Sequence, residues 1–379
     1  MLLMRQTAKI ISTYTADVSG VCSALFELGG MTVMHDASGC NSTYNTHDEP
    51  RWYDMDSMVF ISALSEMEAI MGDDEKLIGD IVDAANQLHP RFTAIAGTPI
   101  PMMIGCDFRA IAAAVEHRTG IPAMGFATNG MHTYAHGAGM ALEGLARRFL
   151  KPMPRKPHSV NILGLTPLDF SVNSSAGSIR RVLCDNGFDV ISSWAMGSTF
   201  DDLMQSASAS VNLVVSSSGV KLAEYMYQAF GIPYVVGTPF GMFEKDIVNA
   251  LLNAEQTGKP SIAYSSASEN ADTVIIGECI MNCSLASALH AEFGLPTRVI
   301  STVGAGERFM TSGCAMARDE YSLEPHLKGA HRVIADPLYA PIVPDDAEFI
   351  SLPHEAFSGR LFRRDIPDMI GGELKRFVK

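Results

Sequence analysis

Seven cysteines, Cys22, Cys40, Cys106, Cys184, Cys279, Cys283 and Cys314, are the residues of this chain best suited to metal or redox chemistry. Cys40 closes the stretch "MTVMHDASGC", in which an apolar strand pattern runs into a short turn, Ala37-Ser38-Gly39. Thiolates bind iron well, and iron–sulfur clusters are usually held by cysteines on loops. A glycine beside the ligand lets backbone N–H groups approach the cluster sulfurs. Ser38, Gly39 and Cys40, with His35 and Asp36 just before them, meet that need; the other reading is a buried structural cysteine in a turn. "GECIMNC" sets Cys279 and Cys283 four apart after a strand, and "TSGC" repeats the Ser-Gly-Cys arrangement at Cys314. These three thiols could hold a metal, or Cys279 and Cys283 could line the first turn of a helix as small apolar residues. Cys184, on the apolar face of a helix, is expected in the core. "HTYAH" puts His132 and His136 one helical turn apart, a spacing that can grip a metal, but no acidic third ligand is near in sequence.

Strands must carry these turns. Short apolar runs recur from Met31–His35 to Glu348–Leu352, most of them continuous rather than alternating, as expected for strands buried on both faces of a parallel sheet. Helical patterns such as "DDEKLIGDIVDAANQL" and "VKLAEYMYQAF" lie between them. This alternation predicts doubly wound α/β domains. "KPMPRKPHS" at 151–159 and "QTGKPSIAYSSASENAD" at 256–272 read as linkers, which divides the chain into 1–155, 156–265 and 266–379. In open parallel sheets ligands gather beyond the carboxyl ends of the strands. Cys40, Cys106, Cys279, Cys283 and Cys314, with Thr166–Ser174 and Ser216–Gly219, fall at such ends.

Composition bounds the rest. At 379 residues with 47% hydrophobic and 18% charged residues, the chain can build more than one core. Its formal net charge of −14 and the lack of a basic stripe exclude nucleic acid and anionic membranes as expected partners. No window reads as a signal peptide or a membrane span, so a cytoplasmic location is expected. An odd cysteine count in a reducing compartment argues against a disulfide framework. "HGAGMALEG" does not follow a strand directly and makes a poor dinucleotide loop. There is no Walker-type P-loop and no G-x-S-x-G elbow.

Four segments, "VSGVCSALFELGGMTVMHDASGC", "SALSEMEAIMGDDEKLIGDIVDAA", "FTAIAGTPIPMMIGCD" and "TVIIGECIMNCSLASALHAEFGL", resemble the nitrogenase component 1 family in order and spacing. That family includes the molybdenum-iron protein, its cofactor-assembly scaffold and the dark-operative protochlorophyllide reductases. The resemblance implies three Rossmann-like domains around a central cleft, and assembly as a homodimer or as a heterodimer with a sister subunit. It also implies an iron–sulfur cluster near the dimer interface, of the 4Fe-4S type, fed by an ATP-dependent iron–sulfur reductase. Cys40 falls at the family's second ligand position. The first ligand would fall near Tyr14 or Thr15 and the third near Thr98 or Pro99, none of them cysteine. In a homodimer, Cys22 and Cys40 of each chain would supply four thiolates to one shared cluster. In a heterodimer the sister subunit would supply the missing ligands, and Asp17, Asp36 or Asp107 could stand in for a thiolate. Cys106 is the next candidate, while His35, Asp36, Ser38 and Gly39 would orient the loop. The strand end matching the cofactor-anchoring cysteine reads "VVSSSGV", with Ser216 and Ser217, so no molybdenum cofactor is expected. Parts of Thr166–Ser174, Ser216–Gly219, Cys279, Cys283 and Cys314 would line a cleft for a small-molecule substrate. The function implied is a nitrogenase-like oxidoreductase subunit. The alternatives are a non-catalytic metallocluster scaffold and a cluster-free small-molecule-binding protein.

Overall fold

The computed structural model describes residues 8–11, 13, 15–37, 49–265, 267–304, 306–370 and 372–378, without the side chains of Arg360 and Glu373. Ser38, Gly39 and Cys40, and with them the central cluster-ligand expectation, lie outside the described residues, as does Tyr14.

Three parallel sheets carry the chain. The first contains β1 (Met31–His35), β2 (Met58–Ile61), β3 (Thr93–Gly97) and β4 (Ala123–Phe126), in the order β2-β1-β3-β4. The second contains β5 (Lys156–Leu163), β6 (Asp189–Ser193), β7 (Ala209–Val214), β8 (Tyr234–Val236) and β9 (Ser261–Ile262), in the order β6-β5-β7-β8-β9. The third contains β10 (Thr273–Glu278), β11 (Thr297–Val303), β12 (Cys314–Met316), β13 (Arg332–Ala335) and β14 (Glu348–Ser351), in the order β12-β11-β10-β13-β14. Helices follow most strands, as parallel pairing requires. Each sheet reverses its strand order once: between β1 and β3, between β5 and β7, and between β10 and β13. Loops leaving neighbouring strands diverge at such points and open a crevice for ligands.

The continuous apolar runs do what their pattern predicts. β1, β3 and β10 are buried along their whole length. One core cluster includes Met34, Val160 and Ile275 and so runs through all three sheets. Two strands escape the pattern, β9 and β12, because runs of two and three residues carry no periodicity. The 151–159 stretch also departs from expectation: its second half is β5, whose Lys156 pairs with Ala209. Cys184 corrects another expectation. It lies on the helix Ser175–Asp185 but is exposed, while Ile179 and Leu183 supply that helix's buried face.

The glycines of "HGAGMALEG" belong to the helix Tyr134–Phe149, which packs on the helix Asp17–Leu25. A Cβ on Gly137 would stand 1.9 Å from the Asp17 carbonyl oxygen, and one on Gly20 would stand 2.0 Å from that of Tyr134. The glycines let two helix backbones touch, which explains their spacing without a nucleotide.

Candidate functional site

The first sheet's switch point is built from His35 at the end of β1, Asp36 just after it and Thr98 after β3. Thr98 Oγ1 donates to Asp36 Oδ1 at 2.7 Å, and Ser62 Oγ lies 2.8 Å from His35 Nδ1. Burial lowers the His35 pKa, so the ring is neutral at pH 7. Thr15, at one expected position of the first ligand, donates to the Ala356 carbonyl at 3.0 Å. Thr98, at the third, is committed to Asp36. Cys22 is 0% exposed among Val21, Leu25 and their neighbours, and burial pushes its thiol far up. Cys106 is half-buried against a different cluster, that of Leu77 and Phe108 on the opposite face of the first sheet. The structure therefore does not bring Cys22 and Cys106 together. The described residues around this switch point do not by themselves make a cluster ligand set, and no group of three metal-ligating side chains occurs among the described residues.

The second switch point is a buried hydroxyl network around Asp169. Thr166 and Ser216 donate to its Oδ2 at 2.7 and 2.8 Å, Ser218 donates at 3.0 Å, and Tyr134 donates to Oδ1 at 2.6 Å. Thr166 follows β5, the serines follow β7, and Tyr134 comes from the first unit. Ser217 turns the other way. Its N–H and hydroxyl both donate to Glu278 Oε1 at the end of β10, while Met281 N–H donates to Oε2 at 2.8 Å. Burial first, then repulsion from Asp169, pushes the Glu278 pKa up to about 7 against these donors. His354, three residues past β14, completes the group. Its Nδ1 accepts from Ala356 N–H at 3.3 Å, so the other nitrogen carries the proton, and Nε2 stands 3.8 Å from Asp169 Oδ1. Burial lowers the His354 pKa to about 4. Ser217 is thus a cross-link from the second sheet to the third, whereas Ser216 ties the end of β7 to the turn after β5. Sequence reasoning places Asp169 and Glu278 at strand ends without assigning them a role, and it misses His354, whose only signal is its position just after the last strand.

The cleft itself, of ≈700 Å³, lies beyond the ends of β4, β7, β11 and β12. That volume suits a small organic molecule, whereas the neighbouring buried cavity between Asp169, Glu278 and His354, at ≈30 Å³, does not. Ile10, Met131, Val220 and Met316 give the cleft apolar surface. His132, His136 and Lys221 give it polarity. The two imidazoles stack at 4.6 Å, and Lys221 Nζ lies 3.5 Å from His136 Nδ1. His132 faces Asp17 Oδ2 at 3.4 Å, so the pair is placed by the helix contact rather than by a metal. Burial lowers the Lys221 pKa, and Arg308 on the facing wall pairs with Glu224.

Cys283 and Cys314 do come together behind this wall, but with Cys279 they do not make a metal-holding group among the described residues. Cys283 Sγ is 3.3 Å from Cys314 Sγ, and Cys279 Sγ is 3.8 Å from the Phe309 carbonyl oxygen. A Cβ on cleft-lining Gly304 would stand 3.0 Å from Cys279 Cβ.

Comparison with known proteins adds to this geometry. The model of the nitrogenase component 1 type oxidoreductase family matches residues 19–260. The nitrogenase iron-molybdenum cofactor biosynthesis protein NifE of Clostridium pasteurianum is 28% identical over 195 residues, 51% of this chain and 42% of that protein. One subunit of the light-independent protochlorophyllide reductase of Pelodictyon phaeoclathratiforme is 27% identical over 175 residues, 44% of this chain and 32% of that protein. The matched region thus spans less than half the length of either relative. A solved structure of nitrogenase Cp1 at pH 6.5 superposes with a TM-score of 0.70 at 14% identity, covering 100% of this chain and 95% of that one.

Proposed function

The chain belongs to the nitrogenase component 1 type oxidoreductase family, and from that membership we propose that it is an oxidoreductase subunit, acting in the cytoplasm, that takes electrons from an ATP-dependent iron–sulfur reductase. The observation that carries this reading is the convergence of three parallel sheets on one ligand-sized cleft. An iron–sulfur cluster, if held by Cys40 together with ligands from a second subunit, would supply one-electron chemistry. Because Thr15 and Thr98 are engaged elsewhere and Cys22 is enclosed in the core, the described part of one chain does not complete the ligands. We therefore place the cluster at an interface with a second subunit, a copy or a sister chain, with Cys40 as this chain's thiolate. The cleft residues do the binding. Lys221 and the His132–His136 pair face an acidic group of the substrate, and Ile10, Val220 and Met316 cover its apolar body.

Anaerobic purification with iron and sulfide analysis and EPR tests this, on wild type and Cys40→Ser, alone and with the candidate reductase. Roughly four irons per dimer, lost in the variant, are expected for one shared cluster. Folded protein that stays iron-free after reconstitution, with and without a sister subunit, would refute the reading. The match to a cofactor biosynthesis protein favours one alternative, a scaffold that carries a metallocluster without turnover. Cluster binding with no substrate reduction under reductase and ATP would select it.

A further inference from the structure

We propose that Cys283 and Cys314 form a redox modification site, a dithiol that closes to a disulfide when it meets a small disulfide oxidant. The geometry is built for it. Cys314 opens edge strand β12 directly after Gly313, whose φ of +85° suits glycine and whose added Cβ would stand 2.7 Å from the Ser268 backbone nitrogen. The turn closes with Cys314 N–H donating to the Thr311 carbonyl at 3.0 Å, and Thr311 Oγ1 lies 3.3 Å from Cys314 Sγ. Facing it, Cys283 sits on the second turn of the helix Cys279–Phe293, 2% exposed. The 3.3 Å between the two sulfurs is only about 1 Å beyond a covalent S–S bond. Cys279 neighbours Cys283 but its sulfur also lies 3.8 Å from the Phe309 carbonyl oxygen, to which Tyr264 Oη donates at 2.7 Å.

The two thiols are unequal in the way exchange requires. Cys314 is only partly buried, and hydrogen bonds from Cys283 and Thr311 lower its pKa to about 6. Cys283 is held well above the usual thiol range by its neighbouring thiols and by burial. Cys314 thiolate attacks one sulfur of the oxidant. A new S–S bond forms, the oxidant's S–S bond breaks, and one small thiolate leaves. Cys283 then attacks the Cys314 sulfur, the intramolecular bond forms, and the second small thiolate departs. The two protein thiols lose two electrons and two protons, and the oxidant becomes two thiols. Such bonds in a reducing compartment are transient and sensing rather than structural. Met316, two residues beyond Cys314, lines the cleft, so oxidation would pin the strand that forms part of its wall.

The test is anaerobic incubation of the folded full chain with hydroxyethyl disulfide, then denaturation in chelator and alkylation. A proteolytic fragment should join the Cys283 and Cys314 peptides until dithiothreitol releases it, whereas the exposed Cys184 should carry at most a mixed disulfide with the reagent. Cys283→Ser should stop at a mixed disulfide on Cys314, and Cys314→Ser should lose no thiol pair. A wild-type chain that yields no Cys283–Cys314 fragment, or that links Cys279 to Cys283 instead, would overturn the proposal. Peptide mapping of wild type decides this even where a variant folds poorly.

Discussion

Replacing Arg51 with methionine should destabilise the protein by about 3–5 kcal/mol, the cost of removing one member of a buried ion pair. Arg51 is 3% exposed and Glu49 2% exposed. All five guanidinium N–H groups have acceptors. Nε reaches Glu49 Oε1 at 2.6 Å, and one terminal nitrogen reaches Glu27 Oε1 at 2.8 Å and the Ala195 carbonyl at 3.0 Å. The other reaches the Ser23 carbonyl at 2.7 Å and Glu49 Oε2 at 3.0 Å. Ser23 lies on the helix Asp17–Leu25 and Ala195 follows β6, so one side chain ties the first unit to the second just after the Cys40 segment in sequence. Methionine keeps the volume and removes every donor. The assay is urea unfolding followed by near-UV circular dichroism, with Arg118→Met as control. Arg118 pairs with Glu75 across 2.7 Å, but the two side chains are 40% and 70% exposed, and such pairs contribute about 0–1 kcal/mol. Glu49→Gln should recover part of the loss in the double variant, because the buried carboxylate charge that Arg51 neutralises is gone. If Arg51→Met costs no more than the Arg118 control, burial does not govern this pair and the reasoning fails.

Three further outcomes follow from the same structure. His354 has a folded pKa of about 4 against about 6.5 unfolded, so its contribution is complete above pH 6.5 and is lost as pH falls toward 4. The loss is of order 3 kcal/mol. His354→Asn should flatten the stability profile across that window, and an unchanged slope in pH-dependent urea titrations would count against a buried neutral imidazole. Gly137→Ala should destabilise by about 1–3 kcal/mol or more, because the methyl meets the Asp17 carbonyl oxygen and a helix backbone must move; a thermal midpoint at the wild-type value would show that the two helices can separate freely. Tyr134→Phe removes one of the four hydroxyls on Asp169 and should cost about 1–3 kcal/mol, with three donors remaining; double-mutant cycles with Ser216→Ala read whether the network is coupled.

Much of the fold is legible because burial on both faces of a parallel strand leaves a local trace. The apolar runs at Met31–His35, Thr93–Gly97 and Thr273–Glu278 need no partner to be read. β9 and β12 leave no trace because two or three residues are too few to show a period, and Cys314 consequently looks like a loop residue. Cys184 departs from its pattern because its helix is amphipathic over a narrow stripe, and one step around a helix turns a side chain through about 100°. The turn chemistry near Cys40 and the strand-end positions of Asp169, Glu278 and Ser216 are local facts, visible in order and type alone. Their roles are not. Asp169 becomes a hydroxyl hub only when Tyr134 and His354 arrive from distant segments, and Ser217 becomes a cross-link only when it meets Glu278 at the end of β10. The Cys283–Cys314 pair is the sharpest case. Thirty-one positions separate the two thiols, and the 3.3 Å between them comes from a helix packed against an edge strand, an arrangement that no local spacing encodes. The sequence determined which chemistries were available and where strands ended, because those depend on side-chain type and short-range periodicity. Tertiary structure alone decided which groups meet and which are buried, because desolvation and hydrogen-bond partnership depend on what the rest of the chain places nearby.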